Sequence, residues 1–188
     1  MRSIVPIFIV AFAASAPALA AEQIPVAHFD SVELKGGGDL YIVAGPVQRV
    51  TVLNGSSQLT SFRVRRQGQL EIVTACDARC PHNYNLRIQV ESPQVPDVAV
   101  SQGGTIVAQR GFGLQQQISA AVSEGGTIDL RAVEAESVSA AVNAGGDIFV
   151  RARESLSAAV HNGGDVHYSG HPAVSMAVSG GGDVRRDD

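Results

Sequence analysis

The sequence predicts an all-β chain: a right-handed parallel β-helix, or β-solenoid, with about 18–22 residues per coil and less regular N-terminal coils that include a hairpin. Three observations carry that prediction. A ten-residue phrase recurs as AVSEGGTIDL (Ala121–Leu130), AVNAGGDIFV (Ala141–Val150), AVHNGGDVHY (Ala159–Tyr168) and AVSGGGDVRR (Ala177–Arg186). The double glycines at Gly103, Gly125, Gly145, Gly163 and Gly181 are spaced by 22, 20, 18 and 18 residues, a period near twenty that marks stacked coils. Apolar residues fall two apart on both sides of each pair, as in Val138, Ala140 and Val142 and then Ile148 and Val150, so each coil holds two strands with one buried face.

Taken in chain order, residues 1–20 read as a secretory signal peptide. Arg2 supplies the positive end, Ile4 to Phe12 the apolar run, and Ala18-Leu19-Ala20 the small-residue cleavage site. The remaining residues, 21–188, are then exported as a single domain, with irregular coils over 29–100 and regular coils over 101–184. After cleavage no later stretch is long and apolar enough to cross a bilayer as a helix. The expected location is the periplasm or the exterior.

The first coils are VELKGGGDLYIV (Val32–Val43), with the same glycine corner, and LRIQV (Leu86–Val90), followed by a bend at Pro93 and Pro96. Between them RVRRQGQLEIV (Arg63–Val73) reads as a hairpin turning at Gln67-Gly68. Arg63, Arg65 and Arg66 alternate with Val64 and read as a solvated strand face. Cys76 and Cys80 are expected to form a disulfide in an oxidising compartment. A zinc pair with His82 as third ligand lacks a fourth donor nearby. The N-terminal pieces are expected to make one end of the stack. At the other end Arg185, Arg186, Asp187 and Asp188 place charge against further stacking.

The regular coils explain their own glycines. A corner repeated in the same place needs backbone angles that a Cβ opposes and lets successive backbones pass closely. The residue after each pair is Thr105, Thr127, Asp147, Asp165 or Asp183, types that hydrogen-bond nearby backbone amides in a turn.

These motifs, GGGDLYIV, the AV-x-x-GGD-[IV] corners and YSGHPAVSMAVSGGGDV, resemble the bacterial GIN domain, a family described as an autotransporter-adhesin head. The resemblance spans Phe29 to Val184. It implies a β-helical envelope protein, although no membrane-anchoring barrel segment follows here and Gly-Gly stands where the family writes Gly-Ser-Gly.

Composition narrows the function. Fourteen basic against 18 acidic residues and 5% aromatics do not suit phosphate-backbone binding, so no nucleic-acid partner is expected. Outward columns are small: Ser119, Ser139, Ser157 and Ser175 beside Ala121, Ala141, Ala159 and Ala177. Exposed, they form a flat face that loses little side-chain entropy on contact with a glycan, an envelope protein or a second copy. Otherwise they let another segment of the chain pack closely. Both readings stand at this point.

The alternatives are a polysaccharide-processing β-helix enzyme and a calcium-stabilised repeat, both built on the Asp147, Asp165 and Asp183 column. The first lacks a base and binding aromatics beside the carboxylates. The second lacks the G-G-x-G-x-D pattern and the six to eight oxygens calcium requires. His161, His167 and His171 read as surface histidines, without clustered cysteine or carboxylate. The expectation is therefore no catalytic residue, no cofactor and no metal, in a non-enzymatic adhesin-head-like module.

Overall fold

Side chains that alternate apolar and polar leave the backbone one way to bury one set and wet the other, and every such stretch here is extended. The structure, a computed structural model, describes residues 21–74 and 85–187. The Cys76–Cys80 pair, His82 and the signal segment lie outside the described residues. Sixteen strands account for the regular structure, with no helix among the described residues. They are β1 (Glu22–Ile24), β2 (Ser31–Lys35), β3 (Asp39–Ala44), β4 (Arg49–Asn54), β5 (Thr60–Val64), β6 (Gln69–Thr74), β7 (Arg87–Ser92) and β8 (Asp97–Ser101). Then follow β9 (Thr105–Ala108), β10 (Gln115–Ser123), β11 (Thr127–Asp129), β12 (Ala135–Asn143), β13 (Asp147–His161), β14 (Asp165–Ser169), β15 (Ala173–Ser179) and β16 (Asp183–Arg186). All join one sheet of mixed orientation around one apolar interior, in a nearly closed, barrel-like arrangement.

Two parallel ladders make up most of that sheet. The first runs β6, β2, β8, β10, β12, the C-terminal half of β13, then β15. The second runs β7, β3, β9, β11, the N-terminal half of β13, β14, then β16. From β8 onward each rung takes one strand from each ladder, joined at a glycine corner. In the 22- and 20-residue steps a turn separates successive rungs, as where Val133 N donates to Leu130 O at 2.9 Å. In the next step, of 18 residues, β13 runs straight through both ladders, whereas the last step, also of 18, breaks at residues 170–172 between β14 and β15.

The N-terminal part departs from simple coiling. The β2–β3 rung lies between the β6–β7 rung and the β8–β9 rung, so the earliest rung in sequence is not the outermost in space. Antiparallel β4 and β5 each stand one strand away from β3 and β2, and β7 and β6 fill those slots. Antiparallel β1 on β4 completes that end. The expected hairpin is present as β5 and β6, turning through Gly68 at φ +73°.

At each corner the left-handed run is three residues long, one more than the glycine pair. Gln102, Glu124, Ala144 and Asn162 have φ of 61°, 58°, 60° and 56°, immediately before glycines near +90° and +100°. The first glycine has open space where a Cβ would stand, so its requirement is backbone angle alone. At the second, a Cβ on Gly146 would lie 2.5 Å from Val122 Cγ1 and 2.6 Å from Gly126 O. That carbonyl accepts from Asp147 N at 3.0 Å, as Gly104 O does from Thr127 N at 2.9 Å, so rungs are hydrogen-bonded through their corners. Left-handed geometry in a residue with a Cβ costs about 1–2 kcal/mol, less for asparagine. Ala144→Asn should therefore raise stability by about 0.5–1 kcal/mol, read as an upward shift in the denaturation midpoint.

Inside, the columns are in register. Val100, Val122, Val142 and Val160 form one buried file, and Ile106, Ile128, Ile148 and Val166 face the core from the other ladder. Burial of each such side chain stabilises by about 1.5–3 kcal/mol. Val178 continues the first file in register but is 44% exposed, because no strand lies beyond β15 among the described residues.

Candidate interaction face

The outward side of the first ladder carries the predicted columns. Ser119, Ser139, Ser157 and Ser175 pair rung to rung, and so do Ala121, Ala141, Ala159 and Ala177, with Ala99 before them. Parallel pairing without a register shift from residue 137 to 143 and onward keeps each column straight. From Ser139 through Ala177 the six residues of these two columns are exposed; Ser119 and Ala121 are half-buried. Among the described residues no other segment lies across the exposed part.

The face begins at a polar rim. Going backward along the alanine column, Ala99 pairs with Glu33, which pairs with Glu71. Lys35 Nζ lies 3.2 Å from Glu33 and 2.8 Å from Glu71, Arg65 donates to both Glu71 oxygens, and the Ser101 hydroxyl donates to Glu33 Oε1 at 3.1 Å. A shallow depression of about 260 Å³ lies on the face. Ser119, Ala121, Ser139 and Ala141 line it together with Ser31 and Gln69. Ser119 N is held by Asp97 Oδ1 at 2.9 Å, which sets the wall. The contribution of β2 and β6 is what the repeat pattern missed, because Ser31 and Gln69 lie outside the periodic part of the chain.

Donors from Arg65 and then Lys35 hold the Glu71 carboxyl down to about 2, against a smaller opposing effect of burial. A depressed carboxylate contributes stability above its unfolded value, and that contribution is lost as pH falls toward the folded one. Glu71→Gln should therefore cost about 1–2 kcal/mol at pH 7 and progressively less between pH 5 and 2, measured by urea unfolding at each pH.

The second ladder's outer side holds the carboxylate column. Asp147 pairs with Asp165 and Asp165 with Asp183, as the repeat predicts. Asp183 Oδ1 accepts from Val184 N at 2.8 Å, the expected turn role. The structure adds His167, whose ring nitrogen and the carboxylates of Asp147 and Asp165 lie within 4.8 Å of one another. His167 is not the surface histidine the sequence suggested. It is 8% exposed, stacked at 4.4 Å on Phe149, which carries Arg131 at 4.6 Å on its ring, and its Nδ1 lies 3.0 Å from Asp187. His161 lies on the other ladder, with its Nδ1 2.8 Å from the Ser179 hydroxyl, and His171 meets Arg186 at 2.9 Å, so the three histidines do not converge. Two carboxylates and one imidazole fall short of the ligand number of structural zinc or calcium. A guanidinium nitrogen of Arg185, 3.3 Å from His167 Nε2, already places positive charge there.

A larger depression of about 490 Å³ lies elsewhere, between Glu134, Arg151, Arg153 and His171, and shares no residue with the small-residue face.

Comparison with known proteins agrees with the residue reading. The family described as "Putative auto-transporter adhesin, head GIN domain" matches residues 110–172. No curated protein sequence matches the chain. A solved structure titled a putative adhesin, from Bacteroides fragilis, is similar at 17% identity and TM-score 0.50, covering 89% of this chain and 96% of that one. A putative cell adhesion protein from Clostridium sporogenes has 11% identity and TM-score 0.39, covering 89% and 100%. A putative adhesin from Parabacteroides merdae has 14% identity and TM-score 0.36, covering 90% and 96%. At such identities the first of these speaks to fold alone. Over residues 110–172, about a third of the chain, the sequence is therefore similar to that GIN-domain family.

Proposed function

We propose that this chain is a non-enzymatic envelope module of the adhesin-head type, exported by its N-terminal signal, and that it binds a partner through the serine and alanine face. The partner class we favour is a glycan or an envelope protein. In this reading the parallel rungs form a right-handed β-solenoid, stiffened near its N-terminal end by a Cys76–Cys80 disulfide. The observation that carries the proposal is the set of straight, exposed columns from Ser139 to Ala177, which end at the depression beside Ser119. Serine and alanine have little rotamer freedom to lose, so a broad contact there costs little ordering. Hydroxyls every rung, spaced by the roughly 4.8 Å of a strand ladder, offer regularly repeated hydrogen bonds.

The carboxylate column supplies the contrast. A hydrolase would work through Asp165, whereas a binding face does not need it. Screening the chain from residue 21 onward against a glycan array and envelope extracts should yield a ligand. Ser139→Arg should then weaken binding at least tenfold while shifting stability by less than about 0.5 kcal/mol, as expected for an exposed site. Asp165→Asn should leave binding unchanged. Undiminished binding by the Ser139 variant would overturn the proposal, and hydrolytic turnover lost with Asp165→Asn would replace it with the enzyme reading.

A further inference from the structure

The two ends of the stack are finished differently. At the N-terminal end, antiparallel β5, β4 and β1 lie over the last rung. At the C-terminal end, among the described residues, β15 pairs only with β13 and β16 only with β14, so one edge of each is open. The positions facing the interior show the consequence. Leu156, Ala158 and Val160 are at most 3% exposed, yet in the next rung Met176 is 61% and Val178 44% exposed.

From these observations we infer that β15 pairs antiparallel with β15 of a second copy, closing a twofold dimer at this end. The strand reads AVSMAVS, seven residues without charge, proline or bulge, which is the composition of an edge open to pairing. It is also self-complementary. With Met176 opposite its own copy, side chains on each face match: Val174 meets Val178 inside, and Ser175 meets Ala177 outside. On β16, the antiparallel register with Val184 opposite Val184 sets Asp183 against Arg185 of the other copy in both directions, a charge match that a twofold repeats. The opposite end offers no equivalent, since its edges are β5, which carries Arg63, and the three-residue β1. Pairing through β15 would cover the open apolar file and join the small-residue faces of two copies into one surface of double length.

The test is sedimentation velocity on residues 21–188 across about 1–200 μM protein, which needs no ligand and so stands or falls separately from the binding proposal. The expected result is a monomer–dimer equilibrium. Met176→Lys, and independently Val178→Lys, should weaken dimerisation at least tenfold with an unchanged far-ultraviolet spectrum, since both side chains are already exposed. A monomer throughout the range would overturn the inference. So would a dimer indifferent to both substitutions, or open-ended growth, which would place the contact head to tail through β5.

Discussion

Gly146→Ala should destabilise the protein by about 3–5 kcal/mol, while Gly145→Ala, one residue earlier, should cost about 1–2 kcal/mol. Both residues occupy left-handed backbone, φ +102° and +89°, so both substitutions carry the conformational penalty. Only the first meets an obstacle. The new methyl would stand 2.5 Å from Val122 Cγ1 and 2.6 Å from Gly126 O, and one of these atoms is backbone that cannot rotate away. Moving it stretches the Asp147 N to Gly126 O hydrogen bond, worth about 1 kcal/mol, and separates two rungs whose strands continue in register on both sides. Chemical unfolding of the two variants measures the difference directly. Equal losses would mean that rungs do not approach at the second glycine, and the corner geometry described above would be wrong.

Val160→Ala should cost about 2–3 kcal/mol, and Val178→Ala less than about 1 kcal/mol in the monomer. The two valines have the same sequence context, AV-H-N-G-G and AV-S-G-G-G, and are register partners on adjacent strands. They differ in burial: Val160 is 0% exposed and Val178 44%. Removing two methyls from the first leaves a cavity between Val142 and its neighbours, whereas water already reaches the second. The comparison is made at protein concentrations low enough to keep the chain monomeric. At higher concentration, where β15 would be covered by a second copy, the cost at Val178 should rise toward that at Val160.

Much of the architecture was readable without coordinates. Strand positions from Val98 to Val184 follow from period-two alternation, and the parallel pairing of equivalent columns follows from the double-glycine spacing. The Ser119 to Ala177 columns are found where the alignment of repeats puts them. Where the period is absent, local sequence carries less. Nothing in VELKGGGDLYIV says that its rung is flanked on both sides by later segments, because strand order depends on which long-range pairings win, and those are not encoded in local alternation. His167 shows the same limit for a single side chain. Three residues past a corner it looks like any outward polar residue; it is buried because Phe149, Arg185 and Asp187 arrive from other rungs.

The sequence by itself determined an all-β chain of repeated corners, the residues that face inward, and a small-residue outer surface, because these depend on steric rules that act within a few residues and are copied from rung to rung. Only the tertiary structure decided the order of the N-terminal rungs, the depression that Ser31 and Gln69 help to wall, the covering of His167, and the exposure of Met176 and Val178. Each of those depends on which neighbour stands beside a strand, or on there being none, and in a stack of near-identical rungs the local sequence carries almost no information about that.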